Sequence, residues 1–140
     1  MCRWLSVGFL SATSLLFFAA ANVDAQAPAS RLALTVSHGT NEEIYTVDLD
    51  GANPVRLTNG PDDDRNPAWS PDGSRLAGAT GKTVQLWDAK TLRPLQLLNH
   101  ERTVKALLWS PKGSRLATRT EDTVRLWSGE TGAEEAKLEA

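Results

Sequence analysis

The chain has 140 residues, 41% hydrophobic and 23% charged, with a net charge of −2. That length bounds it to one small globular domain, and the near-neutral balance without a Lys/Arg cluster argues against nucleic acid as a partner. With one cysteine, Cys2, the chain can form neither an internal disulfide nor a cluster of thiolate metal ligands.

The first stretch reads as an address. Arg3 gives a basic start, Trp4 to Ala21 is apolar or small, and Val23-Asp24-Ala25 places small residues at −3 and −1 of a cleavage site. Residues 1 to 25 therefore read as a secretory signal-peptide helix removed before Gln26, and the protein as exported, periplasmic or secreted. The alternative is an uncleaved anchor, because the run approaches the ~20 residues that span a bilayer. Only then is a membrane a partner. Cleavage would remove Cys2 and leave the net charge unchanged, since Arg3 and Asp24 leave together.

Residues 26 to 30 form a short linker. Ser30-Arg31-Leu32-Ala33 then opens a strand, Ile44 to Leu49 predicts another, Asp50-Gly51-Ala52-Asn53 a turn, and Val55 to Thr58 an outer strand. Asn59 to Asp64 is an acidic loop leading into Pro67-Ala68-Trp69.

From here the chain writes itself twice. Trp69-Ser70-Pro71-Asp72-Gly73-Ser74-Arg75-Leu76-Ala77 returns forty residues later as Trp109-Ser110-Pro111-Lys112-Gly113-Ser114-Arg115-Leu116-Ala117. Thr83-Val84-Gln85-Leu86-Trp87 returns as Thr123-Val124-Arg125-Leu126-Trp127 at the same offset. In Ser-Pro-Asp-Gly, proline sets φ for the second position of a type I turn, and glycine takes the angle that L-residues avoid. Strand-like runs flank each turn: Val104 to Trp109, Arg115 to Thr120, Thr123 to Trp127, and Pro94 to Leu98 in the earlier copy. A repeat of roughly 40 residues is the length of one four-stranded propeller blade. Runs such as Ala106-Leu107-Leu108-Trp109 lack a polar face, as a sheet covered on both sides requires. The expected fold is all-β: an incomplete ring of about two and three-quarter propeller-type antiparallel blades at roughly 30–58, 64–98 and 104–138.

Two family resemblances sit on these residues. Residues 42 to 77 resemble the TolB-like propeller repeat, through Ile44-Tyr45-Thr46-Val47-Asp48, Arg56-Leu57-Thr58-Asn59-Gly60 and Asn66-Pro67-Ala68-Trp69-Ser70-Pro71-Asp72-Gly73. Residues 84 to 138 resemble the WD40 repeat, through Val84-Gln85-Leu86-Trp87-Asp88 and Val124-Arg125-Leu126-Trp127. Three departures stand out: Asn99-His100 for Gly-His, Trp127-Ser128 for Trp-Asp, and Leu92 where a turn glycine is expected. Both resemblances imply a propeller and a protein partner on the loop-bearing face, and the TolB-like one implies a periplasmic location. The WD40 likeness also implies a structural hydrogen-bonded network of His100, Thr118, Asp122 and Trp127. Asp122 lies one residue closer to Trp127 than that pattern has it. The earlier copy has Gly60 at the histidine position and can form no such network.

Other chemistry is sparse. No Gly-x-Ser-x-Gly motif is present, so the chain is expected to be no enzyme. Asp48-Leu49-Asp50-Gly51 lacks the ligand run and distal Glu of a calcium loop, and His38 and His100 are the only histidines. No metal and no cofactor is expected. Asp62, Asp63, Asp64 and Arg65, with Glu101 and Arg102, are the candidate interaction loops, because loops on a rigid scaffold carry binding. Trp69, Trp87, Trp109 and Trp127 recur at strand positions and are expected in the core. The sequence thus reads as a non-catalytic exported module for protein–protein interaction or scaffolding. Its partner is an unidentified protein, and self-association or pairing with other blades is expected from the uncovered faces of the outer units. The alternatives are the N-terminal portion of a larger TolB-like or serine-peptidase-type enzyme, or a truncated reading frame.

Overall fold

The Ser-Pro-x-Gly turns are the joints of the fold. A computed structural model describes residues 31 to 139; the signal-peptide and linker expectations for residues 1 to 30 fall outside it. In both turns the glycine N–H closes on the serine carbonyl, Gly73 on Ser70 and Gly113 on Ser110, each at 2.8 Å and with the glycine at φ 72°. The serine hydroxyl then accepts the N–H of the arginine that opens the next strand, Arg75 at 2.9 Å and Arg115 at 3.0 Å. The first turn adds the Asp72 carboxylate, which takes the Ser70 hydroxyl at 2.6 Å and the Ser74 N–H at 3.1 Å. A turn that satisfies its own backbone this way needs no help from elsewhere.

Eleven strands follow in three antiparallel sheets. The first holds β1 (Arg31–His38), β2 (Asn41–Asp48) and β3 (Val55–Arg56). The second holds β4 (Asp64–Trp69), β5 (Arg75–Thr80), β6 (Thr83–Asp88) and β7 (Pro94–Asn99). The third holds β8 (Ala106–Trp109), β9 (Arg115–Arg119), β10 (Thr123–Ser128) and β11 (Glu134–Glu139). Strands are neighbours in chain order within each sheet, the meander of a propeller blade.

Some strand limits differ from the sequence expectation, each for a local reason. The β1–β2 hairpin is longer than its counterparts, and β2 starts at Asn41, not Ile44. β3 stops at Arg56 because the Thr58 hydroxyl, not its backbone, accepts the Ile44 N–H at 2.9 Å. The chain from Asp64 is strand instead of loop. Val104 stays out of β8 because its N–H reaches across to the Gly81 carbonyl of the preceding blade at 3.0 Å.

The core lies between blades, not within them. Ala77, Val84, Leu86 and Leu98 of the second blade pack against Val104, Trp109, Leu116 and Trp127 of the third. Ile44 of the first blade, with Ala33 and Leu57, packs against Leu76, Trp69 and Trp87 of the second. The repeated tryptophans therefore serve the blade junctions. Their large apolar area is what each junction has to bury.

Leu92, the residue in the glycine place, takes φ 57°, and its counterpart Gly132 takes 71°. A left-handed L-residue costs roughly 1–2 kcal/mol, less the 0.5–1 kcal/mol that glycine loses in chain entropy. Leu92→Gly should therefore stabilise the chain by about 0.5–1 kcal/mol, read as a rise in the urea midpoint at unchanged slope.

Candidate functional site

At the junction of the second and third blades one hydroxyl holds two rings. Thr118 on β9 is buried between His100, which follows β7, and Trp127 on β10. Its hydroxyl oxygen accepts the Trp127 indole N–H at 2.8 Å and donates to His100 Nε2 at 2.7 Å. His100 Nδ1–H donates in turn to the Leu98 carbonyl at 3.1 Å. This donor order fixes the imidazole as the neutral Nδ1–H tautomer. The two rings lie 5.2 Å apart, tilted by 60°. Burial depresses the His100 pKa and outweighs the support from the Leu98 carbonyl, and the nearby Arg125 guanidinium adds to the depression.

Asp122 stands apart from this group. Its carboxylate accepts the Thr120 hydroxyl at 3.2 Å and pairs with Arg102 at 3.1 Å, out in the loop. The shorter spacing to Trp127 puts it at the tip of the β9–β10 turn instead of beneath His100. Arg125 fills the electrostatic role that sequence reading missed. It is 9% exposed, lies over the Trp127 ring at 6.0 Å, and reaches Glu101 at 2.9 Å and Glu134 at 3.1 Å. The signal was in the repeat: Arg125 is the one change between Thr83-Val84-Gln85-Leu86-Trp87 and its copy. Glu101 and Arg102 are thus tied to their own blade, although both remain exposed.

The junction of the first and second blades solves the same space without polarity. Gly60 and Gly78 replace the histidine and threonine, and the Ile44 side chain fills the gap so closely that a Cβ on Gly78 would overlap its Cδ1.

The acidic stretch is not one loop surface. Asp62 and Asp63 are exposed, and Asp63 accepts the Glu42 N–H at 3.1 Å and pairs with Arg65 at 2.9 Å. Arg65 also pairs with Glu42, so the long β1–β2 hairpin clips this segment to the first blade. Asp64 corrects the expectation. It opens β4 with no exposed surface, at the position where the next repeat has buried Val104, and neither carboxylate oxygen has a hydrogen-bond partner. Close by, Glu43 is 2% exposed and bound by Arg56 at 2.7 Å and the Thr58 hydroxyl at 2.8 Å. Burial pushes the Asp64 pKa up, and the Glu43 charge adds to this. Burial also works against the Glu43 charge, but the Thr58 and Arg56 hydrogen bonds outweigh it and hold its pKa low. Of the two, Glu43 is the one whose surroundings favour the charge. Among the described residues, no cluster of three His, Cys, Asp or Glu side chains is placed to hold a metal ion.

With this geometry in view, the comparisons are specific. The family model of the WD domain, G-beta repeat, matches residues 33–88 and 92–128, running through the stretch that resembles the TolB-like repeat. No curated protein matches the chain. Among solved structures it is similar to a chain of the "Crystal Structure of Mitotic Checkpoint Complex", at 28% identity and a TM-score of 0.66. The likeness covers 79% of this chain and 37% of that one, so the chain spans little more than a third of its length.

Removing the shared hydroxyl should be expensive. Thr118→Val strands two buried partners at about 1–3 kcal/mol each, so denaturant melts should show a loss of roughly 2–4 kcal/mol. Since the folded His100 pKa lies below that of the unfolded chain, its contribution is present above about pH 6.5 and is lost as pH falls through the folded value. His100→Gln should flatten that stretch of the stability–pH curve. For Asp64 the sign reverses: a raised carboxyl pKa costs stability as pH rises above about 4. Asp64→Asn should leave thermal stability unchanged at pH 4 and raise it at pH 8 by about 1–2 kcal/mol.

Proposed function

The chain belongs to the WD40 repeat family, and from that premise we propose that it is a non-catalytic, exported module for protein–protein interaction or scaffolding. The observation that carries this reading is where the polar and apolar groups are spent. His100, with a hydrogen-bond partner on each nitrogen, is used inside a blade junction, while the outer sheet faces keep exposed leucines such as Leu108 and Leu138. An imidazole held as a hydrogen-bonded wedge has no free nitrogen for proton transfer. Exposed apolar area on a rigid scaffold suits a protein partner. The solved structure it resembles is part of a multiprotein complex, which favours the same use.

Self-association, or pairing with blades of another chain, belongs to this reading, as do contacts through the Glu101-Arg102 and Asp62-Asp63 segments. Export is supported by the apolar run and the Val23-x-Ala25 pattern.

Photocrosslinking groups placed at Arg102, Asp62 and Leu108 in the native compartment should trap discrete protein adducts. N-terminal sequencing of the same material should begin at Gln26. Esterase, peptidase and phosphatase screens should be flat. No adduct at any position, or an activity abolished by His100→Ala in a chain that still folds, would overturn the reading.

A further inference from the structure

The two ends of the blade stack are unlike, and the repeat shows what each is shaped to meet. Resting on the reading of the chain as a protein-binding module, we propose that its partner is a second copy of itself. The open face of the first blade in one copy seats on the open face of the third blade in the other, and two copies close a single ring of six blades.

The third blade's open face copies a face whose occupant is known. Toward the third blade, the second presents Ala77, Val84, Leu86 and Leu98, all at most 2% exposed. Val84 pairs with Leu98 across β6 and β7, and Ala77 with Leu86 across β5 and β6. The same pairs recur as Val124 with Leu138 and Ala117 with Leu126, the same residue types at all four positions. There Leu138 is 63% exposed. What covers this surface inside the chain is the face carrying Leu116 and Trp127, paired across β9 and β10. In the first blade that register pair is Leu32 with Val47, across β1 and β2. Leu32 is 44% exposed, whereas Leu76 and Leu116 in the equivalent places are fully buried. A donor-type face lies open at one end and an acceptor-type face at the other. Contacts between unlike faces continue head to tail until the ring closes.

One difference between the repeats selects this chain over another tryptophan-bearing blade. Where the second blade has Ala68, the third has Leu108, 68% exposed. At the internal junction the Trp109 indole lies against that position, its N–H on the Ala68 carbonyl at 3.1 Å. Leucine occupies the space an incoming indole would need. The first sheet has three strands among the described residues, none of them in the place of the inner strands β4 and β8 that bring Trp69 and Trp109 to the other blades. It also has Val47 where they have Trp87 and Trp127. The bulk added on one face therefore matches the bulk missing on the other, as volume-conserving packing requires. Arg119, in the place of Ala79, sits at the end of β9, where its guanidinium can reach water from the rim. Six blades lie within the four to eight of closed propellers.

The test compares the full chain with two charge variants at exposed positions, Leu108→Lys on the third blade and Leu32→Lys on the first. Sedimentation at micromolar concentration should give twice the chain mass for the parent and the single-chain mass for each variant. An equimolar mixture of the two variants should recover the two-chain mass, because it restores one intact junction, with at least tenfold weaker association than the parent. Leu138→Lys repeats the third-blade test, and circular dichroism confirms that each variant keeps its strands. A single-chain parent overturns the proposal. So does a parent-like mass for Leu32→Lys with loss only for Leu108→Lys, which would mean third blades pairing face to face. A single-chain parent that still gives a discrete foreign adduct removes this inference and leaves the interaction-module reading standing.

Discussion

The described fold depends on one constraint: each apolar sheet face is buried by the sheet stacked beside it. Within a blade, neighbouring strands satisfy the backbone, but the side chains above and below the sheet remain wet. At about 25 cal/mol per Å² of apolar surface removed from water, the stabilisation resides at the junctions. Ala77, Val84, Leu86 and Leu98 meet Val104, Trp109, Leu116 and Trp127 there. Stability in such a stack is a sum of near-neighbour terms, so each blade depends on the next.

The two junctions reach the same packing by different chemistry. One uses a polar wedge, with His100, Thr118 and Trp127 joined through a single hydroxyl and Arg125 closing the top. The other uses Ile44 against Gly78 and Trp87. The polar version fixes ring orientation because a misplaced histidine or indole would leave a buried group without a partner. The apolar version has no such directional demand. Beside it sits a costly feature, Asp64, whose carboxyl lies next to Glu43 with no hydrogen bond of its own.

Charge plays a secondary part. Most ion pairs, such as Arg102 with Asp122 and Arg65 with Asp63, are exposed and contribute little to stability. They stiffen the loops that surround the blades. Two pairings stand apart: buried Glu43 with Arg56, and Arg125, which is itself buried and spans Glu101 and Glu134 from the strand β10. That draws the segment after His100 onto the outer strand and holds the wedge in place.

The sequence by itself determined what is local and what is repeated. The Ser-Pro-x-Gly turns, the strand after each turn, the blade length and the tryptophan positions were all legible, because turn chemistry and the offset of forty residues act over short range. Leu92 in a glycine place was legible too, and its positive φ follows from the turn around it. Tertiary structure alone decided which carboxylates are surface and which are buried. Asp62, Asp63 and Asp64 are consecutive and chemically identical, yet the third is sealed under the neighbouring blade. It also decided that Asp122 turns outward to Arg102 while Arg125 turns inward to Trp127. Burial of a side chain is set by the sheet stacked across from it, and that partner lies on a strand of another blade, distant along the chain. No local pattern carries that information.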